Sequence, residues 1–180
     1  MKLYIFRHGQ TEGNRLQICQ TADFELNEEG IKQAERLRDD LAKINLPIIY
    51  ASPFKRAEMT GRIVASAHKT PVEIREGLEE MRFGQAEGML EAEMPKKFGE
   101  ELYQQLINVP EPHWDSKIPE GESKREALER FKRSLDKIKK ICPYDTAGVA
   151  SHGHIMRIFY YDHFKEDKEF ENCEYFELEI

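Results

Sequence analysis

Short, mainly apolar runs alternate along this chain with longer segments in which apolar residues recur every three or four positions. The short runs lie at residues 3–6, 47–51, 72–74 and 146–150. The longer segments lie at residues 27–44, 52–67 and 123–138, and a further one begins at residue 153. Short apolar runs indicate buried strands, whereas the wider spacing indicates amphipathic helices. With a last strand near residues 174–180, the alternation predicts a three-layer α/β/α sandwich around a mostly parallel sheet.

Capping residues mark where the predicted helices begin. Asn27 stands where an N-cap is expected, and Ser123 with Glu126 has the spacing of a capping box. Ser52 followed by Pro53 predicts a third start, with serine as the N-cap and proline at the first helical position.

Residues 86–122 follow neither pattern and are rich in proline. We interpret them as short helices and loops inserted as a cap, within one domain that spans residues 1–180. Inside this segment, Trp114 is predicted to anchor the cap rather than to stack on a substrate. The sequence predicts no role for the adjacent His113.

The composition, 39% hydrophobic and 34% charged over 180 residues, is typical of a folded domain with a well-solvated surface. The net charge of −7 argues against broad binding to nucleic acid or to an anionic membrane. No apolar stretch is long enough to cross a bilayer, and the first residues lack the layout of a signal peptide. Cys19, Cys142 and Cys173 show no disulfide or metal-binding spacing, so reduced thiols in a cytoplasmic protein are expected.

Two of the predicted strands are closely followed by a histidine. Arg7 and His8 come after the first strand, and His152 comes after the strand at residues 146–150. Ligands of open α/β sheets bind beyond the carboxyl ends of the strands, so both histidines are expected to face one crevice. An arginine beside two imidazoles suits an anion with several oxygens, such as phosphate. The sequence therefore predicts a phosphoryl-transfer site.

Four motifs follow one another along the chain. R-H-G-[QE]-T-x-x-N corresponds to residues 7–14, and S-P-x-x-R-A-x-x-T corresponds to residues 52–60. L-x-E before a phenylalanine–glycine pair corresponds to residues 78–84, and H-G followed by an arginine corresponds to residues 152–157. Together they resemble the histidine phosphatase superfamily, which also contains the cofactor-dependent phosphoglycerate mutases. The resemblance extends over nearly the whole chain and implies that family's fold and chemistry.

The resemblance also implies a role for each motif residue. His8 is expected to be the nucleophile that forms a covalent phosphohistidine, with the Gly9 carbonyl holding its ring. Glu80 is expected to protonate the leaving oxygen and later to take a proton from water. The residues expected to bind the phosphoryl oxygens are Arg7, Asn14, Arg56, His152 and Gly153. With this many donors, neither a metal nor another cofactor is expected.

Several residues near these motifs have a structural interpretation as well. His152 and His154 have the spacing of a metal-binding pair, but no further ligand cluster accompanies them, so no metal site is predicted. Arg157 is predicted to form an ion pair rather than to bind substrate. For Arg15 and Glu122, contact with substrate and a purely structural role are both kept as alternatives.

A chain of this length with a brief cap favours a phosphatase of a small phosphomonoester, because water must reach the phosphoenzyme. A cofactor-dependent phosphoglycerate mutase and a phosphohistidine-protein phosphatase are the alternatives within the family. A phosphate-binding module without activity is disfavoured, because His8, Glu80 and His152 occur together. The physiological substrate is not predicted, and pairing of the final strand with a second copy to form a homodimer is left open.

Overall fold

The computed structural model describes residues 1–67, 69–110 and 112–180, and a five-stranded sheet forms its centre. The strands are β1 (Lys2–Arg7), β2 (Ile49–Ala51), β3 (Val72–Ile74), β4 (Thr146–Ser151) and β5 (Tyr175–Glu179). Their order across the sheet is β3-β2-β4-β1-β5. All neighbours run parallel except β5, which pairs antiparallel with β1 at one edge. The mostly parallel sheet predicted from the apolar runs is confirmed.

Helices connect the strands. They are α1 (Glu12–Arg15), α2 (Glu28–Leu41), α3 (Lys55–Ser66), α4 (Met94–Phe98), α5 (Glu100–Ile107), α6 (Lys124–Ile141) and α7 (Gly153–Phe164). Two short 3₁₀ helices, Gly84–Ala86 and Glu91–Glu93, lie between β3 and α4.

The sheet has a hydrophobic core on each face, which gives the predicted three layers. Successive side chains of a strand point to opposite faces. Leu3 and Ile5 of β1 therefore pack with buried residues of α6 and α7. Tyr4 and Phe6 pack on the other face with buried residues of α2 and α3. Because both faces are covered, the central strands are apolar throughout, as the sequence pattern indicates.

The pairing of β1 with β4 sets the position of both histidines. Arg7 lies opposite Ser151 in the register of the two strands. The backbone N–H of His8 donates to the Ser151 carbonyl at 3.1 Å, which carries the pairing one residue further. His8 and His152 therefore leave the sheet side by side at its carboxyl edge.

The helix starts follow the capping predictions at two positions and differ at the third. Asn27 caps α2 by accepting from the Gly30 N–H, and Ser123 forms a capping box with Glu126. Helix α3, however, begins at Lys55, and its N-cap is Phe54, which has no side-chain cap bond. The predicted N-cap role of Ser52 is therefore wrong.

A tertiary hydrogen bond explains this difference. The hydroxyl of Ser52 lies 2.8 Å from Nε2 of His152, and it accepts only a longer bond, 3.3 Å, from the Phe54 N–H. A buried imidazole without a partner costs more free energy than an uncapped helix end, so the partner across the sheet determines the position of Ser52.

The segment predicted as a cap holds short helices and loops but no strand among its described residues. Trp114 donates from Nε1 to the Val109 carbonyl at 3.1 Å, and its ring lies 6.1 Å from that of Tyr161 in α7. These contacts fit the predicted anchoring role of Trp114. The division into one domain with a cap at residues 86–122 stays a prediction.

The described part of the chain has no helix that combines the length and the apolar character needed to cross a membrane.

Two glycines allow the loop after β1 to lie directly against α2. A Cβ on Gly30 would come within 2.0 Å of the Gln10 carbonyl oxygen. A Cβ on Gly9 would come within 2.4 Å of the Gly30 carbonyl oxygen. Both contacts are with backbone atoms, which cannot rotate away as a side chain can. Backbone packing at this point therefore fixes the loop that carries His8.

Gly30→Ala is expected to lower the free energy of unfolding by about 1–3 kcal/mol, because the added methyl group overlaps the backbone. Gly61→Ala is the matched control in α3, since its Cβ would meet methyl groups of Ala51 and Ala150 at 3.3 and 3.4 Å. There the better helix propensity of alanine offsets the tight contact. The free energy of unfolding is therefore expected to change by less than about 1 kcal/mol. Urea unfolding of both variants measures the difference; equal losses would contradict the close approach of the loop to α2.

Candidate active site

Four separate elements bring the predicted catalytic residues together at the carboxyl edge of the sheet. His8 follows β1, His152 precedes α7, Arg56 lies in the first turn of α3, and Glu80 lies in the loop after β3. The two histidine rings are 5.3 Å apart. His8, Arg56 and His152 are 3%, 2% and 0% exposed, so the site is desolvated before any ligand binds.

The hydrogen bonds of His8 fix its tautomer. Nδ1 lies 2.7 Å from the carbonyl oxygen of Gly9, which can only accept, so Nδ1 carries the proton. Nε2 is then the nitrogen with the free lone pair, and it accepts a 3.2 Å hydrogen bond from Nε of Arg56. Burial and the positive charges of Arg56 and Arg7 hold the pKa of His8 well below its usual 6.5. The imidazole is therefore neutral at physiological pH, and Nε2 is its unprotonated ring nitrogen.

Two guanidinium groups flank His8, of which Arg56 is buried and Arg7 is partly buried. Arg56 donates to the Thr21 carbonyl at 2.7 Å, and Arg7 donates to the Phe170 carbonyl at 2.6 Å. The Nε of Arg7 is buried and finds no hydrogen-bond partner among the described residues. Burial lowers the pKa of Arg7, and it lowers that of Arg56 to about 10, while the charge of Glu80 opposes both shifts. Both groups stay cationic at neutral pH and are able to bind an anion.

His152 is oriented by Ser52. Its Nε2 lies 2.8 Å from the Ser52 hydroxyl, whereas Nδ1 is buried without a partner in the described part of the chain. Burial, followed by the charge of Arg56, holds the pKa of His152 well below its usual 6.5. If the serine hydroxyl donates to Nε2, Nδ1 carries the proton and can donate to a ligand. The orphaned Nδ1 is thus the atom of His152 that is available to a phosphoryl oxygen.

The carboxylate of Glu80 lies at the N-terminus of α7. Oε1 accepts from the backbone N–H groups of Met81 and Ile155 at 2.9 and 2.7 Å. Among the described residues, Oε2 accepts from the His154 N–H alone, at 2.9 Å. The helix N-terminus and its free N–H groups therefore fix the carboxylate beside the two histidines.

Asn14 and Gly153 lie at the edge of this cluster. The side-chain oxygen of Asn14 accepts from the Thr11 N–H at 3.1 Å, so its amide nitrogen is the group left to donate. A Cβ on Gly153 would come within 2.9 Å of Nε of Arg7, so only glycine lets that guanidinium lie against the start of α7. The structure thus brings every predicted site residue to one region, while their roles stay predictions.

The structure shows the surroundings of the residues whose role the sequence did not decide, and of Arg157. Arg15 forms an exposed ion pair with Glu12 at 2.7 Å, and His113 is exposed. Glu122 is buried and pairs with two arginines. Arg157 pairs with Asp167 at 2.6 Å, as predicted. Within the described ranges, no group of three or more histidine, cysteine, aspartate or glutamate side chains is placed to hold a metal ion.

Sequence reasoning missed several supporting contacts. Thr60 accepts from the Gly9 N–H at 3.0 Å and donates to the Arg56 carbonyl at 2.7 Å, which ties α3 to the loop of His8. Asn172 donates to the His8 carbonyl at 3.0 Å from the loop before β5. Thr60 ends a quoted motif and could have been considered on that ground. Asn172 is more than 160 positions from His8, and no local signal marks it.

Comparison with known proteins identifies related sequences. The model of the histidine phosphatase superfamily (branch 1) matches residues 3–179. Phosphoserine phosphatase 1 of Hydrogenobacter thermophilus is 33% identical over 161 residues, covering 89% of this chain and 74% of that protein. The adenosylcobalamin/alpha-ribazole phosphatase of Escherichia coli is 28% identical over 160 residues, covering 88% and 76%. A 2,3-bisphosphoglycerate-dependent phosphoglycerate mutase of Nocardia farcinica is 26% identical over 181 residues, covering 86% and 74%.

Solved structures share the fold. A mycobacterial glucosyl-3-phosphoglycerate phosphatase superposes with a TM-score of 0.85 at 21% identity, covering 99% of this chain and 90% of that chain. The protein YhfR of Bacillus stearothermophilus superposes with a TM-score of 0.87 at 22% identity, covering 99% and 91%. At these identities the likeness is one of fold.

Nitrogen NMR of His8 is expected to show an unprotonated Nε2 and a protonated Nδ1 at pH 6.5 and at lower pH values, down to the lowered pKa of the ring. The reason is that burial and two arginines disfavour the imidazolium, so the pKa lies below the usual value and protonation occurs only at lower pH. The same chain in urea is the control, where histidines titrate near 6.5. A proton on Nε2, or half-protonation of His8 at pH 6.5 in the folded protein, would contradict this geometry.

Proposed function

The chain belongs to the histidine phosphatase superfamily and is a phosphoric monoester hydrolase, and on this basis we propose that it hydrolyses small phosphomonoesters through a covalent phosphohistidine at His8. The observation that carries the proposal is the Nδ1–H bond to the Gly9 carbonyl, which leaves a neutral, unprotonated Nε2 among cationic donors. A neutral imidazole with one free lone pair is the form that can attack phosphorus.

In the first step, Nε2 of His8 attacks phosphorus as the bond to the leaving oxygen breaks. Arg7, Arg56 and His152 surround the position of the attack and supply donors to the phosphoryl oxygens, whose charge is spread over the transition state. The pair of electrons from the broken bond goes to the leaving oxygen, which takes a proton from Glu80. Protonation on Oε2 costs the carboxyl group one backbone hydrogen bond, whereas protonation on Oε1 costs two.

In the second step, water attacks the phosphohistidine and gives a proton to the carboxylate of Glu80. The bond between phosphorus and Nε2 breaks, inorganic phosphate leaves, and Glu80 is again protonated for the next cycle. Each transferred proton thus comes from Glu80 or from water, and the positioned donors stabilise the charge of the transition state. We propose that the reaction needs no metal ion.

The relatives support a small substrate without naming it. A phosphoserine phosphatase and an adenosylcobalamin/alpha-ribazole phosphatase are among the similar proteins. Phosphoserine and alpha-ribazole phosphate are small phosphorylated molecules. A phosphoglycerate mutase is also similar, at lower identity. We infer hydrolysis rather than isomerisation, because the phosphoserine phosphatase is 33% identical to the chain, whereas the phosphoglycerate mutase is 26% identical. We propose a cytoplasmic location for the protein, and its three free cysteines support this location.

A substrate panel separates these activities. Phosphoserine, alpha-ribazole phosphate, 4-nitrophenyl phosphate and a phosphohistidine protein are assayed with a chelator present, beside a mutase assay on 3-phosphoglycerate with its bisphosphate primer. Phosphate release with chelator is the expected result. Isomerisation with little release would make the chain a mutase, and release only from a phosphohistidine protein would move the proposal to that substrate class.

His8→Ala is expected to abolish phosphate release, because no other group in the site replaces the Nε2 lone pair. His163→Ala is the matched control: it also removes an imidazole, but from an exposed position near the end of α7. That variant is expected to keep wild-type activity. Turnover by folded His8→Ala enzyme, checked by circular dichroism, would exclude the phosphohistidine intermediate.

Glu80→Gln is expected to lower kcat/KM on alkyl phosphates by about 100-fold or more, because an alkoxide needs a proton to leave. The loss on 4-nitrophenyl phosphate is expected to be several-fold smaller, because that leaving group is stable as an anion. Steady-state kinetics on both substrates measure the ratio. Equal losses would show that Glu80 does not act as the acid.

A further inference from the structure

One arginine outside the proposed catalytic set bonds to the loop that carries Glu80. The guanidinium of Arg130, on α6, donates to the backbone carbonyls of Gly77, Glu79 and Glu80 at 3.0, 3.1 and 3.0 Å. It also contacts the side chain of Glu79 at 3.2 Å and both oxygens of Glu122 at 2.8 and 2.7 Å. Its side chain is only 14% exposed, so solvent competes little for these donors.

Glu122 fixes Arg130 in turn. Its carboxylate also accepts from the backbone and side-chain nitrogens of Arg82, both at 3.1 Å. Burial raises the pKa of Glu122, but the hydrogen bonds from Arg130 and Arg82 outweigh it and lower the pKa to about 2. The carboxylate is therefore ionised at any pH at which the enzyme is assayed. A paired carboxylate and a planar guanidinium form a rigid unit.

The loop itself has no regular secondary structure, so side chains must hold its backbone. The carbonyl of Leu78 accepts from the Ser151 hydroxyl at 2.8 Å. Together with the three bonds from Arg130, this means that a side chain holds every carbonyl from Gly77 to Glu80. Ser151 ends β4, directly before His152. The loop is thus fixed to the same sheet edge as the histidines.

We propose that Arg130, held by Glu122, is a positioning residue that fixes the Glu80 carboxyl at the leaving oxygen. The inference rests on the proposed acid role of Glu80. Arg130 acts through the backbone of residues 77–80 and does not touch the reacting atoms. Proton transfer demands a carboxyl oxygen within hydrogen-bond distance of the leaving group, so a small shift of this loop is enough to remove the acid step.

The distinguishing measurement is the ratio of kcat/KM on an alkyl phosphate to kcat/KM on 4-nitrophenyl phosphate. The alkyl phosphate is the best one found in the substrate panel. A variant that is merely less folded loses both activities equally, because the fraction of active enzyme cancels from the ratio. A variant that displaces Glu80 loses the alkyl phosphate selectively.

Arg130→Lys is the first variant. It keeps the charge next to Glu122, but the three N–H donors of one ammonium group cannot serve three carbonyls and the carboxylates of Glu79 and Glu122 together. The ratio is expected to fall about 10-fold or more, with less than about a threefold loss on 4-nitrophenyl phosphate. Arg133→Met, an exposed change one turn further along α6, is the control and is expected to leave the ratio unchanged.

A second variant leaves neither Arg130 nor Glu122 as a charge without its partner, and Glu79 keeps its hydrogen bond from the Gly77 N–H. Arg130→Met combined with Glu122→Gln removes both members of the ion pair, and the same selective loss is expected. Adding Arg130→Lys to Glu80→Gln is expected to lower the ratio no further, because the acid through which Arg130 acts is already absent.

The outcomes separate this inference from the proposed function. If Glu80→Gln lowers the ratio but neither Arg130 variant does, the positioning role is wrong and the acid role stands. If Arg130→Lys lowers the ratio further in the Glu80→Gln background, Arg130 acts by another route and the inference is overturned. If Glu80→Gln leaves the ratio unchanged, the proposed acid role fails, and the positioning role fails with it.

Discussion

Two guanidinium groups withdrawn from water, Arg56 buried and Arg7 partly buried, are the constraint on which this site depends. Arg7 and Arg56 are held by backbone carbonyls, which accept their hydrogen bonds without neutralising their charge. Glu80 is the carboxylate whose charge supports both of them. Because the cost of removing the arginines from water is met when the protein folds, an incoming phosphoryl group finds donors that are already desolvated. Burial, together with the positive charge of Arg56, lowers the pKa of both histidines and keeps them neutral. A local cationic site thus exists within a chain whose net charge is −7.

The fold was largely predictable from the sequence, because its signals are local. Strands covered on both faces must be apolar, and Asn27 and Ser123 cap helices through neighbours three positions away. The motifs also placed the predicted site residues in one region. The supporting contacts were not predictable in this way. Arg130 meets residues about 50 positions before it, and Ser52 meets a histidine 100 positions after it. Ser52 has a local preference for capping a helix, but its hydroxyl bonds to that distant histidine instead.

The chain after α7 contributes to the site as well as to the sheet. The Phe170 carbonyl accepts from Arg7, and Asn172 donates to the carbonyl of His8. Both residues belong to the loop that leads into β5, the antiparallel edge strand. The Cys173 N–H also donates to the His8 carbonyl, at 3.3 Å. The last strand therefore closes the sheet and, through this loop, holds the backbone of the first motif.

The hydrogen bond between Arg56 and His8 has a consequence for the resting enzyme. The N–H of Arg56 occupies the lone pair of Nε2. A phosphoryl group offers the guanidinium better acceptors, since its oxygens are charged and imidazole nitrogen is not. Under the proposed mechanism, an anionic ligand releases the lone pair when it binds, whereas an uncharged electrophile leaves it engaged. The proposed nucleophile is thus masked until an anion binds.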